Sequence, residues 1–213
     1  MEKFFDTISE VIHYFSIIYP ILYLLGYKYY SKAYKIFSIY LIGITLIQLT
    51  MRIVIKADLT ETNLFMFVYY FVFQFIALSL FYKKLLNFKW VHYVTAAALL
   101  FFAFQYIRDP NMYFIYNPIG VIIGQGIIVI YSLLYFYKLL SEKGEFMIVN
   151  IGVFFYLLSS MLIFASGNMA LNIELSENVP MILSRTNLLL YLIFQVLIIV
   201  EWYRNYRLRS AQG

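Results

Sequence analysis

Residues Ile119–Tyr137 read Ile-Gly-Val-Ile-Ile-Gly-Gln-Gly-Ile-Ile-Val-Ile-Tyr-Ser-Leu-Leu-Tyr-Phe-Tyr, with no charged side chain until Lys138. A helix needs about 20 mostly apolar residues to cross the hydrocarbon of a bilayer. A helix lying on the surface of a soluble domain would show a charged face, and this stretch has none. Six further runs share the pattern: Ile8–Tyr27, Tyr34–Ile53, Leu64–Tyr82, Trp90–Ile107, Phe146–Phe164 and Met181–Tyr203. A transmembrane barrel would alternate polar and apolar residues in ten-residue segments, whereas these runs are continuously apolar. The pattern predicts an all-α integral membrane bundle of seven transmembrane helices, forming a single domain over residues 1–213.

Composition agrees. Of the 213 residues, 63% are hydrophobic and 13% charged, with a mean hydropathy of +0.79; soluble domains carry about 25% charged residues. The 22 tyrosines are expected at the membrane interfaces, where an apolar ring with a polar tip is at home. There is no cysteine, so disulfides, thiolate metal sites and thiol nucleophiles are excluded. The acidic start, Met1-Glu2-Lys3-Phe4-Phe5-Asp6, does not read as a cleavable signal peptide. The net charge of +5 does not point to nucleic acid, because the basic residues sit in short turns between apolar runs.

Those basic residues set the expected orientation. Lys28, Lys32, Lys35, Lys83, Lys84, Lys89, Lys138, Lys143, Arg204, Arg207 and Arg209 fall on one side; Lys3, Arg52, Lys56, Arg108 and Arg185 fall on the other. Cytoplasmic loops carry the positive excess, so the N-terminus is expected outside and the C-terminus in the cytoplasm. The reading is of a multi-pass protein of a bacterial cytoplasmic membrane. Tyr27-Lys28, Tyr82-Lys83 and Tyr137-Lys138 recur at equal spacing. Duplicated hairpins would produce this, and so would interfacial Tyr-Lys pairs on helices of similar length, which is the simpler account.

Polar residues within the runs concentrate towards the outer side. Asp6, Glu10 and His13 share one face of the first helix; Gln48, Arg52 and Lys56 recur along the second; Gln125 lies in the fifth; Arg185 and Asn187 begin the seventh. Ionisable groups at such depth are costly unless paired or hydrated. They are expected to form an outward-facing pocket of Glu10, His13, Gln48, Arg52, Gln125, Arg185 and Asn187 for a small polar or anionic ligand, with Glu10 as the natural partner of Arg52. The bland alternative is helix-packing hydrogen bonds and headgroup snorkelling. The inner half reads as sparser, with His92, Asn150, Gln195 and, at the boundary, Glu201. Ser166–Pro180 reads as the one long loop, a lid over the outer mouth, with the alternation at Leu171–Ser176 suggesting a short strand. Pro20 is expected to free a backbone carbonyl near Ser16, and Gly120–Gly124 to permit close helix packing.

No catalytic constellation, metal site or cofactor site emerges. Two histidines on opposite sides cannot share a metal, and Glu10–His13 lacks a third partner. The last run holds no lysine for a retinal Schiff base, and no Pro-Gln dipeptide occurs. The expectation is a membrane receptor or sensory subunit signalling to a separate cytoplasmic protein partner, with an accessory subunit or a small-molecule transporter as alternatives.

Overall fold

The computed structural model describes residues 2–57, 64–114, 118–172 and 178–207. Seven α-helices are seen there: α1 (Glu2–Leu25), α2 (Lys32–Lys56), α3 (Leu64–Leu86), α4 (Trp90–Arg108), α5 (Pro118–Ser141), α6 (Met147–Asn172) and α7 (Asn178–Asn205). A short 3-10 turn, Pro110–Tyr113, follows α4. Six segments are long and apolar enough to cross a membrane; in α6 the apolar stretch Met147–Ile163 is shorter. The chain is therefore an all-helical bundle suited to a lipid bilayer, with several spans.

Sequential neighbours pack antiparallel, but the order around the bundle is not sequential. α1, α2, α3, α5, α6 and α7 form a ring closed by α7 against α1, while α4 leans on α3 from outside and touches α5 only lightly. The sequence of α4 explains its place. Its buried residues, Val91, Thr95, Ala98 and Phe102, form a single stripe spaced by three and four. Tyr93, Leu100, Phe104 and Ile107 stay exposed, as suits a helix turned to lipid.

Two expectations about the backbone meet different outcomes. The Pro20 ring withholds the N–H that would bond the Ser16 carbonyl, and Thr45 Oγ1 of α2 donates to that carbonyl instead, at 2.6 Å. α1 thus stays helical past the proline, and the substitute donor ties it to α2. The long loop at Ser166–Pro180 is corrected: α6 runs to Asn172 and α7 begins at Asn178. Met169, Ala170 and Leu171 are good helix formers, and they carry the helix through Gly167 and Asn168. The strand suggested at Leu171–Ser176 and the lid lose the residues up to Asn172 to this helix, and 173–177 lie outside the described residues.

Gly120 and Gly124 are buried in the bundle, and the tightest helix contacts described are at two other glycines. A Cβ on Gly43 of α2 would collide with the Phe73 ring of α3, and one on Gly152 of α6 would meet Phe194 of α7 at 2.7 Å. Gly124, by contrast, has ordinary contact distances of 3.5 and 3.6 Å to Phe102 and Phe75. The three equally spaced Tyr-Lys pairs also part company. Tyr82 is fully buried, Tyr137 is 75% exposed, and the Tyr27 ring lies under the Lys35 ammonium. Equal spacing does not become equivalent packing.

Candidate functional site

The ring encloses a cleft of about 300 Å³ in the half away from the lysine-rich turns. α2 contributes Gln48 and Met51, and α3 contributes Phe67, Tyr70, Phe71 and Gln74. The far wall is Gln125 of α5, Tyr156 and Ser160 of α6, and Ser184, Asn187, Leu188 and Tyr191 of α7. Each helix presents these residues on its ring-facing stripe, at intervals of three, four or seven. Among the described residues, the lining holds aromatic faces and amides and no carboxylate, ammonium or guanidinium.

Hydrogen bonds lock part of this wall. Gln48 Nε2 donates to the Tyr191 hydroxyl at 2.9 Å, joining α2 to α7. Gln74 Nε2 donates to the Tyr40 hydroxyl at 3.3 Å, joining α3 to α2. Gln125 Nε2 donates to Ser160 Oγ at 3.4 Å, joining α5 to α6. The rings of Tyr156 and Tyr191 lie 5.4 Å apart, and Tyr156 stacks on Phe194. The amide oxygens of Gln125 and Asn187 are buried and accept no hydrogen bond. Such atoms forgo about 1–3 kcal/mol each, and they flank a space large enough for a small molecule.

The seven residues singled out in the sequence fall in three places. Gln48, Gln125 and Asn187 line the central cleft. Glu10, His13 and Arg52 line a separate groove of about 540 Å³ between α1 and α2, with Asp6, Ser9 and Lys56. Arg185 belongs to neither; its guanidinium covers the Phe5 ring at 4.7 Å. In the groove the acids stand on α1 and the cations on α2, and among the described residues no ion pair joins Glu10 to Arg52. The split runs within helices: Gln48 and Arg52 of α2 line different spaces, and on α7 Asn187 lines the cleft while Arg185 covers Phe5.

At the lysine-rich end, two of the few polar residues that the sequence offers anchor buried networks. Asn150 is fully buried. Its Oδ1 accepts from the Tyr82 hydroxyl at 2.7 Å and Ser132 Oγ at 2.8 Å, and its Nδ2 donates to the Ser132 carbonyl at 3.2 Å. Glu201 is equally buried. Its Oε2 accepts from the backbone N–H groups of Ile148 at 2.9 Å and Val149 at 3.3 Å, and Oε1 accepts from Asn205 Nδ2 at 2.5 Å. A carboxylate of α7 thus caps the N-terminus of α6, where free N–H groups and the helix dipole favour an anion. Beside it Phe146, at φ 62°, packs against Phe37, Phe81 and Tyr206. Left-handed backbone is strained for an aromatic residue, and a ring seated in a closed core holds it there.

Tyrosine is the signal that interfacial reasoning misses. Tyr19, Tyr23, Tyr34, Tyr82, Tyr131 and Tyr135 are fully buried. Their hydroxyls find internal acceptors: Tyr23 donates to the Ile198 carbonyl at 3.2 Å, Tyr34 to the Tyr23 carbonyl at 2.9 Å and Tyr135 to the Glu145 carbonyl at 2.5 Å. No protein-family model, characterised protein or solved structure matches the chain.

Proposed function

We propose that the chain is a seven-span protein of the cell membrane, N-terminus outside and lysine-rich turns in the cytoplasm, that acts as a receptor or sensory subunit. One observation carries this reading: a cleft in the proposed outer half, its lining uncharged among the described residues and rich in aromatic rings, with two buried amide oxygens that lack donors. The ligand that suits it is small and neutral, with a hydrogen-bond donor on an apolar or aromatic frame. The charged groove at Glu10, His13 and Arg52 stands apart from it, so an anionic ligand has less support here than a neutral one. Binding across Gln48, Gln125 and Asn187 would adjust α2, α5 and α7 together, and the cytoplasmic turns would pass the change to a separate protein.

Two experiments test this reading. Cysteines placed at Ser31 and Ser141 should be labelled only after the inner side is opened; labelling in intact cells reverses the orientation. Purified protein should be stabilised thermally by a neutral aromatic donor such as indole or phenol, and the Gln125→Leu, Asn187→Leu double variant should lose that response. An identical response in both proteins sinks the receptor reading and leaves the accessory-subunit one.

A further inference from the structure

At the lysine-rich end, a groove of about 310 Å³ runs between the start of α2, the end of α3 and the α5–α6 turn. Its polar lining includes Lys32, Lys84, Lys138, Lys143, Glu142 and Glu145. Both acids are engaged: Glu142 pairs with Lys138 at 3.6 Å, and Glu145 Oε2 accepts from Ser31 Oγ at 2.7 Å. Lys138 also donates to the Leu85 carbonyl at 3.0 Å. With four lysines and two glutamates in its lining the groove is net cationic, and the ammonium groups of Lys32, Lys84 and Lys143 have no partner among the described residues.

A second groove adjoins the first and shares Leu139, Glu142, Lys143 and Gly144 with it. It adds Phe136, Tyr137, Leu140 and Met147. Of these, Tyr137, Leu140 and Met147 are well exposed, so this groove presents an apolar surface on the outside of the bundle. A cationic recess opening onto an apolar channel matches a molecule with an anionic head and a hydrocarbon tail. We propose that the paired grooves hold an anionic phospholipid, its phosphodiester among Lys32, Lys84 and Lys143 and its acyl chains along Phe136, Leu140 and Met147. The site is independent of any ligand in the central cleft. A lipid there would bridge α2, α3 and α5, bracing the end of the bundle. The anionic leaflet that draws basic residues supplies such lipids.

The test is native mass spectrometry of the purified full-length protein with dioleoyl-phosphatidylglycerol, dioleoyl-phosphatidylcholine or glycerol phosphate added separately. The wild-type protein should retain phosphatidylglycerol and shed phosphatidylcholine, and glycerol phosphate should not displace the lipid. Replacing Lys32, Lys84 and Lys143 together by Gln should weaken retention on the order of a hundredfold. Replacing Lys28, Lys89 and Arg204 by Gln removes the same charge from the same end outside the groove, and should change retention little. If the triple groove variant fails to fold, Lys84→Gln and Lys143→Gln alone should each cost roughly fivefold. Equal loss in the control triple, equal retention of phosphatidylcholine, or displacement by glycerol phosphate would each overturn the proposal.

Discussion

The two ends of the ring handle buried polarity in opposite ways. At the lysine-rich end, Asn150 and Glu201 are fully buried and every polar atom of theirs has a partner on another helix or one turn away. In the other half, Gln125 and Asn187 leave amide oxygens unanswered beside an open cleft. In lipid an unpaired polar group has no water to turn to, so satisfied networks hold helices together. Ser79 Oγ and Gln195 Oε1 in the lysine-rich half also lack partners, so the contrast is one of setting: Asn150 and Glu201 sit in closed networks, whereas Gln125 and Asn187 line a cleft. Aromatic packing repeats the lesson: Tyr34, Phe37, Phe81, Phe146 and Tyr206 interlock at the first end, while the rings around the cleft leave space between them.

The sharpest way to break this comparison is Glu201→Leu. It strips the acceptor from the Ile148 and Val149 N–H groups at the start of α6. Each orphaned donor costs about 1–3 kcal/mol, so a loss of about 3 kcal/mol is expected in detergent unfolding titrations. Glu201→Gln, which keeps one acceptor, should recover part of it. A Leu variant as stable as the wild type would remove the cap from the account.

Asn150→Leu should do less. It deprives Tyr82 and Ser132 of their shared acceptor, but such bonds in membrane bundles average about 0.6 kcal/mol and reach about 1.7. A loss of about 1–2 kcal/mol is expected, with Tyr82→Phe non-additive to it in a double-mutant cycle. Strict additivity would mean that the two side chains do not act as a unit.

Gln125→Leu and Asn187→Leu should do least to stability. Asn187→Leu removes an oxygen that accepts no bond, and Gln125→Leu removes another together with the long Nε2–Ser160 bond, so each change should stay within about 0.6 kcal/mol. Losses matching that of Asn150→Leu would show that the cleft is as firmly built as the opposite end, and the comparison would fail.

Much of this was legible in the chain because hydropathy is local. Runs such as Ile119–Tyr137 decide that a helix forms and that lipid suits it, whatever surrounds them. Pro20 announced a freed carbonyl, and Gln48, Gln125 and Asn187 stood out as polar residues within apolar runs. The tyrosines were not legible in the same way. A mid-helix Tyr reads as hydrophobic bulk, and whether its hydroxyl meets water or a carbonyl depends on a helix far away in sequence. Glu201 reads as a boundary charge until the start of α6 is brought against it.

By itself, then, the sequence determined that the chain forms long apolar helices, with its basic residues in the turns at one end, since both follow from residues close together in the chain. Only the tertiary structure decided that α4 stands outside the ring, that Gln48, Gln125 and Asn187 share a cleft from which Glu10, His13, Arg52 and Arg185 are excluded, and that a carboxylate of α7 caps α6. Those outcomes depend on how helices rotate and which helices meet. That choice is made by contacts such as Gly43 against Phe73 and Glu201 against Ile148, which no local pattern encodes.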